Sequence, residues 1–429
     1  MKEIIFITMS AFKRNQKGMR LFMQKLYGKE LLEKELKGSY LFFIRENNFS
    51  DKGYGLIHDE SVHKQNITSI ASVGYGFCAL IVGVVHGYLK YDEAKRIATK
   101  TLDTILNELK NENGFYYHFI RINSKASYEN YEVSIIDTAI LLCGAILAGE
   151  FFEGEIKEKA TKIYEKVNWR WFLDKETNQF YVGYSKDKGF EERWETYAEQ
   201  LMIYILAIAS PTFNVDKDVY DYFDKPKADY GDIKDIVYSH CGSLFTYQYS
   251  HAFFDFRNKV DKNGIDWFEN SVKATLANRQ YCIDNMNKYK TFGENAWGLT
   301  ACLTPEGYKA GIGSKPCSSN LEVENDGTVA TSGAIGSIVF TPEYSIKAME
   351  NYYNNFQKLW SDYGFNNSFN FEGEKTWFAH ENLGIDKGIG LCMIENYLNG
   401  SIWKYFMKNE FVQKGMGEIF EEKILYKRS

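Results

Sequence analysis

The chain has 429 residues, 45% of them hydrophobic and 25% charged, with a formal net charge of −6. This is the composition of a folded protein with ample material for a core, and it excludes a chain held open by its own charge. The acidic balance, with no basic stripe along the sequence, argues against a nucleic-acid partner. No membrane partner is expected either, since even the apolar stretch 67–89 is broken by Gly, Ser, Tyr and His. The opening MKEIIFITMSAFKRN holds an acid inside a run too short for a secretory signal, which predicts a cytoplasmic protein. Seven Cys at scattered positions, with Cys78, Cys143 and Cys392 in apolar stretches, read as buried thiols rather than as a disulfide framework.

Residues 17–36 set leucines among charges at helical spacing, the pattern of an outer helix with one wet face. Residues 68–89 are small, apolar and nearly uncharged, which predicts an inner helix. Residues 91–110 are again outer. Residues 131–152, YEVSIIDTAILLCGAILAGEFF, are inner: from Ala139 to Ala148 they offer only Ala, Ile, Leu, Cys and Gly, so a helix there must be packed on every side. An outer helix follows at 155–167 and an inner one at 195–210, stopped by Pro211. The fourth pair is placed at 215–223 and 247–258, the fifth at 265–285 and 332–340, the sixth at 343–359 and 386–398. Residues from Ile402 onward close the chain, and no Pro/Ser-rich linker divides it, so 1–429 reads as one domain.

Six alternations of wet and dry helices bury the dry ones when they close into a ring with the dry set inside. The predicted fold is all-α, an (α/α)6 toroid whose inner helices all open their N-termini on one face. The long segments 111–130, 174–194, 224–246, 285–331 and 360–385 lead into inner helices, which places the functional site beneath them.

At or beside those helix starts stand Glu132, Asp137, Glu195, Glu199, Asp255, Glu294, Asp326 and Asp386. Most acids at helix starts are caps, and Ser134 followed three residues on by Asp137 is a capping pattern. Trp171, Trp194, Trp297, Trp360 and Trp377 fall in or beside the same segments. Acids and aromatics at one mouth suit glycoside hydrolysis, which needs a protonated carboxyl to release the leaving oxygen and a carboxylate to activate water or attack carbon.

The words SIASVGYGF (69–77), GFYYHF (114–119), EVSIIDTA (132–139), WETYAEQ (194–200) and QYSHAFFDFR (248–257), followed by GENAWGLTA (293–301), DGT (326–328), LGID (383–386) and IENY (394–397), resemble the glucoamylase-like family. The resemblance, which covers most of the chain, implies an (α/α)6 toroid acting on β-1,2-linked glucans with inversion. The family also includes domains of cyclic β-1,2-glucan synthases. Carried over by motif, it implies Asp137, Glu199 and Glu132 as catalytic groups, with no cofactor and no metal. It further implies Trp194, Glu195, Tyr197, Tyr249, His251, Asp255, Arg257, Glu294, Asn295, Trp297, Asp326 and Asp386 as substrate-holding residues. The chain departs from the family pattern after DGT, where 329–332 lack an expected proline.

Glu199 is expected to be the protonating acid, because Met202, Ile203 and the apolar helix behind it raise its pKa by desolvation. Asp137, near a helix N-terminus that favours the ionised form, is expected on the water side. Other readings remain open from the residues. A uronate lyase on a similar toroid would use Tyr249, His251, Asn295 and Arg257. A zinc-dependent ring would need more than His240 beside Cys241, and a silent glycan-binding module would leave sugar unchanged.

Overall fold

The computed structural model describes residues 26–46, 54–62, 66–127, 132–318 and 325–423. The opening segment read as a cytoplasmic start, the first part of the outer helix expected at 17–36, and Tyr131 lie outside these residues. Helices α1 (Gly28–Arg45), α2 (Ile70–Val85), α3 (Tyr91–Asn107), α4 (Ile135–Phe152) and α5 (Glu155–Glu165) come first. After the single turn α6 (Trp169–Phe172) follow α7 (Leu201–Ala209), α8 (Phe245–Phe253) and α9 (Trp267–Asp284). The remainder is α10 (Thr331–Ile335), α11 (Pro342–Asn355), α12 (Gly384–Leu398), α13 (Ser401–Phe406) and α14 (Glu410–Ile419).

Wet and dry helices separate as the hydrophobic pattern requires. Every residue of α7 is buried, and every residue of α4 except Ile136 and Phe151, whereas α3 and α5 bury one face only. The expectation about membrane-spanning length needs correction: α4 is long and apolar enough to cross a bilayer, with a mean hydropathy of 1.9. It is nevertheless 89% buried inside the protein, as a core helix is. Helix α2 packs on α4 and α4 on α7, hydrogen bonds from Ser250 and Gln248 link α8 to the start of α7 and to α10, and α12, the last of the dry helices, packs on α10, on α8 and on α2, the first.

Two close approaches fix that packing. A Cβ on Gly144 would lie 2.1 Å from the carbonyl oxygen of Gly74, so α4 and α2 meet backbone to backbone. A Cβ on Gly388 would lie 2.2 Å from the ring of Tyr75, which brings α12 equally close to α2. From outside, Glu35 of α1 forms a buried ion pair with Lys387 of α12 at 2.7 Å. The Glu35 carboxylate also accepts from the Phe365 amide at 2.8 Å.

The fold is not all-α, because short antiparallel strands occupy the long segments. These segments are partly buried, and their main-chain N–H and C=O groups need partners that no helix supplies. They find them in one another, in a circuit around the mouth. Ile67–Ser69, leading into α2, pairs with Phe119–Arg121, which precedes α4. Val133–Ser134, at the start of α4, pairs with Gln179–Ser185, which precedes α7. Thr196 bridges Asp224, joining the approach to α7 with the approach to α8. The Leu244 amide donates to the Leu299 carbonyl at 3.2 Å, and Val329–Ala330 before α10 pairs with Ser368–Asn370 before α12. Glu60 then bridges Leu383 and returns the circuit from α12 to α2.

Several expected helices differ, among them the one expected to end at 36, which runs on to Arg45. The inner helix placed at 195–210 begins at Leu201, because the Tyr197 amide donates to Asp224 at 2.9 Å and the Asp224 amide to Glu195 at 2.7 Å. Residues 195–197 are thus committed to a neighbouring strand and cannot start a helix. The outer helix placed at 215–223 is the 3-10 turn Lys217–Asp221, and the inner one at 332–340 is five helical residues followed by turns. All seven cysteines are free, and five of them are buried. Replacing Gly144 with Ala is expected to lower unfolding stability by about 1–3 kcal/mol, as overpacking a tight contact does. Urea denaturation should show the midpoint falling at constant slope.

Candidate active site

A cavity of about 520 Å³ opens at the mouth of the dry helices, lined by Asp59, His118, Asp137, Glu199, Phe245, Tyr249 and Tyr308 among others. Its volume is that of a typical small-ligand site. Local structure accounts for how each group arrives there. Ser134 caps α4, accepting from the Asp137 amide at 3.2 Å and donating its hydroxyl to Asp137 Oδ2 at 2.5 Å. Asp137 is therefore a helix-start acid and a cavity wall at once. On α2, Ser69 is the cap, and Ser72 donates to Asp59 Oδ1 at 2.8 Å, holding that carboxylate at the rim.

Glu199 stands outside any helix, two residues before α7. Its position comes from Ser250 of α8, whose hydroxyl donates to the Glu199 carbonyl at 2.7 Å and accepts from the Met202 amide at 3.1 Å. Burial is the main force on its carboxyl, and with the negative charge of Asp137 it raises the pKa to about 7. At neutral pH a large fraction of Glu199 thus carries a proton, while its own backbone amide partly offsets the shift.

Aromatic surface completes the cavity. Phe245 and Tyr249 lie 5.2 Å apart between ring centroids on α8. Tyr308 reaches the cavity from the hairpin Cys302–Thr304/Gly307–Lys309, opposite Leu303, and is 55% exposed. The hairpin is anchored by Lys309, which pairs with Asp326 at 3.2 Å, and by the Leu303 amide, which donates to Asn367 at 2.8 Å. Asp386, in the first turn of α12 next to the cavity-lining Ile385, accepts from Asn367 at 2.6 Å. Burial raises it to about 6, against that hydrogen bond.

The glycoamylase family model, described as "putative glucoamylase", matches residues 191–410, just over half of the sequence. The chain belongs to this family. It is 26% identical over 424 residues to the exo β-1,2-glucooligosaccharide sophorohydrolase (non-reducing end) of Parabacteroides distasonis, covering 88% of this chain and 57% of that protein. The chain thus spans little more than half the length of that curated relative. A glycoamylase-family structure of the same description from Bacteroides uniformis superposes with a TM-score of 0.84 at 27% identity, covering 94% of this chain and all of that one. The endo-β-1,2-glucanase of Chitinophaga pinensis shares the fold, with a TM-score of 0.82 at 24% identity over 92% of this chain and 99% of that one.

Within this glycoamylase cavity the structure brings together Asp137, Glu199 and Tyr249, with Glu132 beside them through His118 and Asp386 alongside Ile385. It places the other expected residues elsewhere. Trp194 is buried on the approach to α7, Tyr197 packs on Trp267 at 4.4 Å, and Glu195 is exposed and paired with Arg193. Asp255 and Arg257 follow the C-terminus of α8, at the end opposite the mouth. They pair with each other at 2.7 Å, with Arg257 over the ring of Trp403. The expected mouth position for these two is corrected: α8 ends at Phe253 rather than at 258, so QYSHAFFDFR runs out of the helix.

His251 is buried among Phe256, Phe268 and Phe340, with Nε2 against Ser271 at 3.0 Å, and burial lowers its pKa to about 3. Glu294 is exposed and bound to Arg279, Asn295 accepts from Asn351 through its carbonyl, and Trp297 is fully buried. Asp326 acts through Lys309 at the base of the Tyr308 hairpin. Of the four groups the lyase reading called on, only Tyr249 lines the cavity. Among the described residues no group of three or more His, Cys, Asp or Glu side chains is arranged to hold a metal ion.

Sequence reasoning passed over Asp59, His118 and Tyr308. The first sits in a turn-rich segment without helical period, and the third follows the turn Pro305–Glu306–Gly307, a hairpin signal that went unused. The raised pKa of Glu199 fixes a sign for stability. The unfolded chain releases this proton near the ordinary value of 4.5 and the folded chain near 7, so folding loses stability as pH rises between them. Glu199→Gln removes the loss. Denaturation at pH 4 should find the two proteins alike, and at pH 8 the variant should be more stable by up to about 3 kcal/mol.

Proposed function

We propose that this protein is a glycoside hydrolase that cleaves β-1,2-linked gluco-oligosaccharides, with 1–429 forming one (α/α)6 toroid whose mouth loops carry the small sheets. The observation that carries the reading is one cavity onto which two differently conditioned carboxyls open. Burial raises Glu199 to about 7, so a share of it carries a proton at neutral pH, and Asp137 is fixed by Ser134 at a helix N-terminus. The kinship with a curated β-1,2-glucooligosaccharide hydrolase supports the linkage.

In this mechanism Glu199 gives its proton to the glycosidic oxygen as the bond from that oxygen to the anomeric carbon breaks. A water molecule attacks the same carbon from the other side and loses a proton to Asp137, so the anomeric configuration inverts. Asp386 holds substrate hydroxyls from the α12 side. The exposed face of Tyr308, with Phe245 and Tyr249, offers flat apolar surface to sugar rings. A cavity of about 520 Å³ suits a few sugar units, which favours short oligosaccharides over internal cuts in long polymer.

Incubation with linear β-1,2-glucan and with short β-1,2-gluco-oligosaccharides, with products separated over time, tests this directly. One small product accumulating from the start is expected, and no change in either substrate would overturn the linkage. A chain-end-blocked glucan cut as fast as the free one would overturn the preference for ends. Glu199→Gln should lower kcat by about 10²–10⁴-fold, the size of a lost general acid. Retained oligosaccharide binding by the variant, measured by calorimetry, would separate this loss from unfolding.

A further inference from the structure

The group that stands out beyond these assignments is His118. Its Nδ1 lies 2.8 Å from Glu132 Oε1, and its Nε2 lies 3.7 Å from Asp137 Oδ1. The first contact is a hydrogen bond to an acceptor and the second is at ion-pair distance, so a ring flanked by a carboxylate at each nitrogen is favoured in its positively charged form, the imidazolium. The main chain of His118 is held on both sides. The His118 amide donates to the Glu132 carbonyl and its own carbonyl accepts from the Ile70 amide, each at 3.0 Å, tying it to the starts of α4 and α2. The ring also stacks on Phe119 with centroids 4.0 Å apart.

We propose, resting on the hydrolase reading above, that His118 is a positioning residue whose imidazolium bridges Glu132 and Asp137 and supplies a fixed positive charge beside Asp137, across the cavity from Glu199. Among the described residues, the charged groups facing His118 come from three places: Glu132 just before the strand that leads into α4, Asp137 in the first turn of α4, and Asp59 on the segment before α2. Burial works against a charged ring, and these three carboxylates outweigh it, lifting the His118 pKa to about 9. In return the bond from His118 holds Glu132 below the usual carboxylate range.

The consequence concerns how one proton is divided. Asp137 and Glu199 feel each other across the cavity, and two such carboxyls left alone compete for a proton. A fixed cation next to only one of them decides the contest. His118 lies 3.7 Å from Asp137, and burial raises Glu199 to about 7, so Glu199 is the group placed to give a proton to the leaving oxygen.

Histidine NMR of the intact protein reads the bridge without reference to activity. His118 should remain protonated to about pH 9, and both Asp137→Asn and Glu132→Gln should move its titration down by about one pH unit or more. Titration near 6.5 in the unmodified protein, or no movement in either variant, would overturn the bridge. His118→Gln should then shift the acid limb of the kcat/KM profile upward by about one pH unit, with KM changed less than about twofold. An unmoved acid limb with a uniform loss of rate would reduce His118 to a structural part. Absence of hydrolysis on every β-1,2-linked substrate would sink the hydrolase reading instead, and the NMR titration would still decide whether the imidazolium bridges the two carboxylates.

Discussion

Water can satisfy no face of α2, α4 or α7, and the need to enclose these helices on all sides organises the rest of the molecule. Enclosing one dry helix takes neighbours, and when the neighbours are equally dry the covering stops only when the set meets itself. It does so where α12 returns to α2 through Gly388 and Tyr75. Small residues at the contacts let the backbones approach, and the outer helices, each with one apolar face, close the outside. The same enclosure brings the starts of the dry helices together on one face. There the first amide groups of each helix lack partners within it and favour negative charge. A mouth rich in acids is thus a consequence of the packing before it is a feature of any chemistry.

That origin explains why capping and the proposed catalytic role are not competing accounts of Asp137. Its amide and carboxylate both engage Ser134, as in an ordinary cap, and the same side chain faces the cavity. Glu199 is conditioned differently. It lies on a stretch of chain held by the Thr196–Asp224 bridge on one side and by Ser250 on the other, without a helix of its own. Both carboxyls are buried, but one also has a cap and a neighbouring histidine, and the other stands outside any helix. Two groups of nearly equal intrinsic acidity are set apart by their surroundings, which is what acid and base assignments require.

The alternation of helices was legible in the sequence because it rests on periodicity and charge, which a chain displays residue by residue. α3 and α4 fall within a few residues of their expected limits, as does α12. The strands were not legible. Val133–Ser134 is too short to show a period of two, its partner Gln179–Ser185 does not alternate between buried and exposed residues, and their pairing joins segments far apart in the chain rather than following local pattern. The same gap shifted the start of α7 past Glu199. The acids Asp137 and Glu199 could be found because a helix start or a motif word marks them. Trp297 and His251 sit in words of equal quality, yet a word fixes no direction for a side chain, and these point into the core. His118 lay inside GFYYHF and drew no attention, since a single histidine acquires meaning only from what stands at each of its nitrogens.

The circuit of main-chain bonds around the mouth connects fold to site. Each approach segment is tied to the next: the strand Val133–Ser134, directly after Glu132, pairs with the approach to α7, and the hairpin carrying Tyr308 leans on Asn367, which also holds Asp386. Helix ends alone would leave long side chains on flexible loops. The strands convert those loops into a frame whose register is fixed by hydrogen bonds, and a site held this way loses little conformational entropy when substrate arrives. The irregular segments that made the fold harder to read are therefore the parts that hold its carboxyls in place.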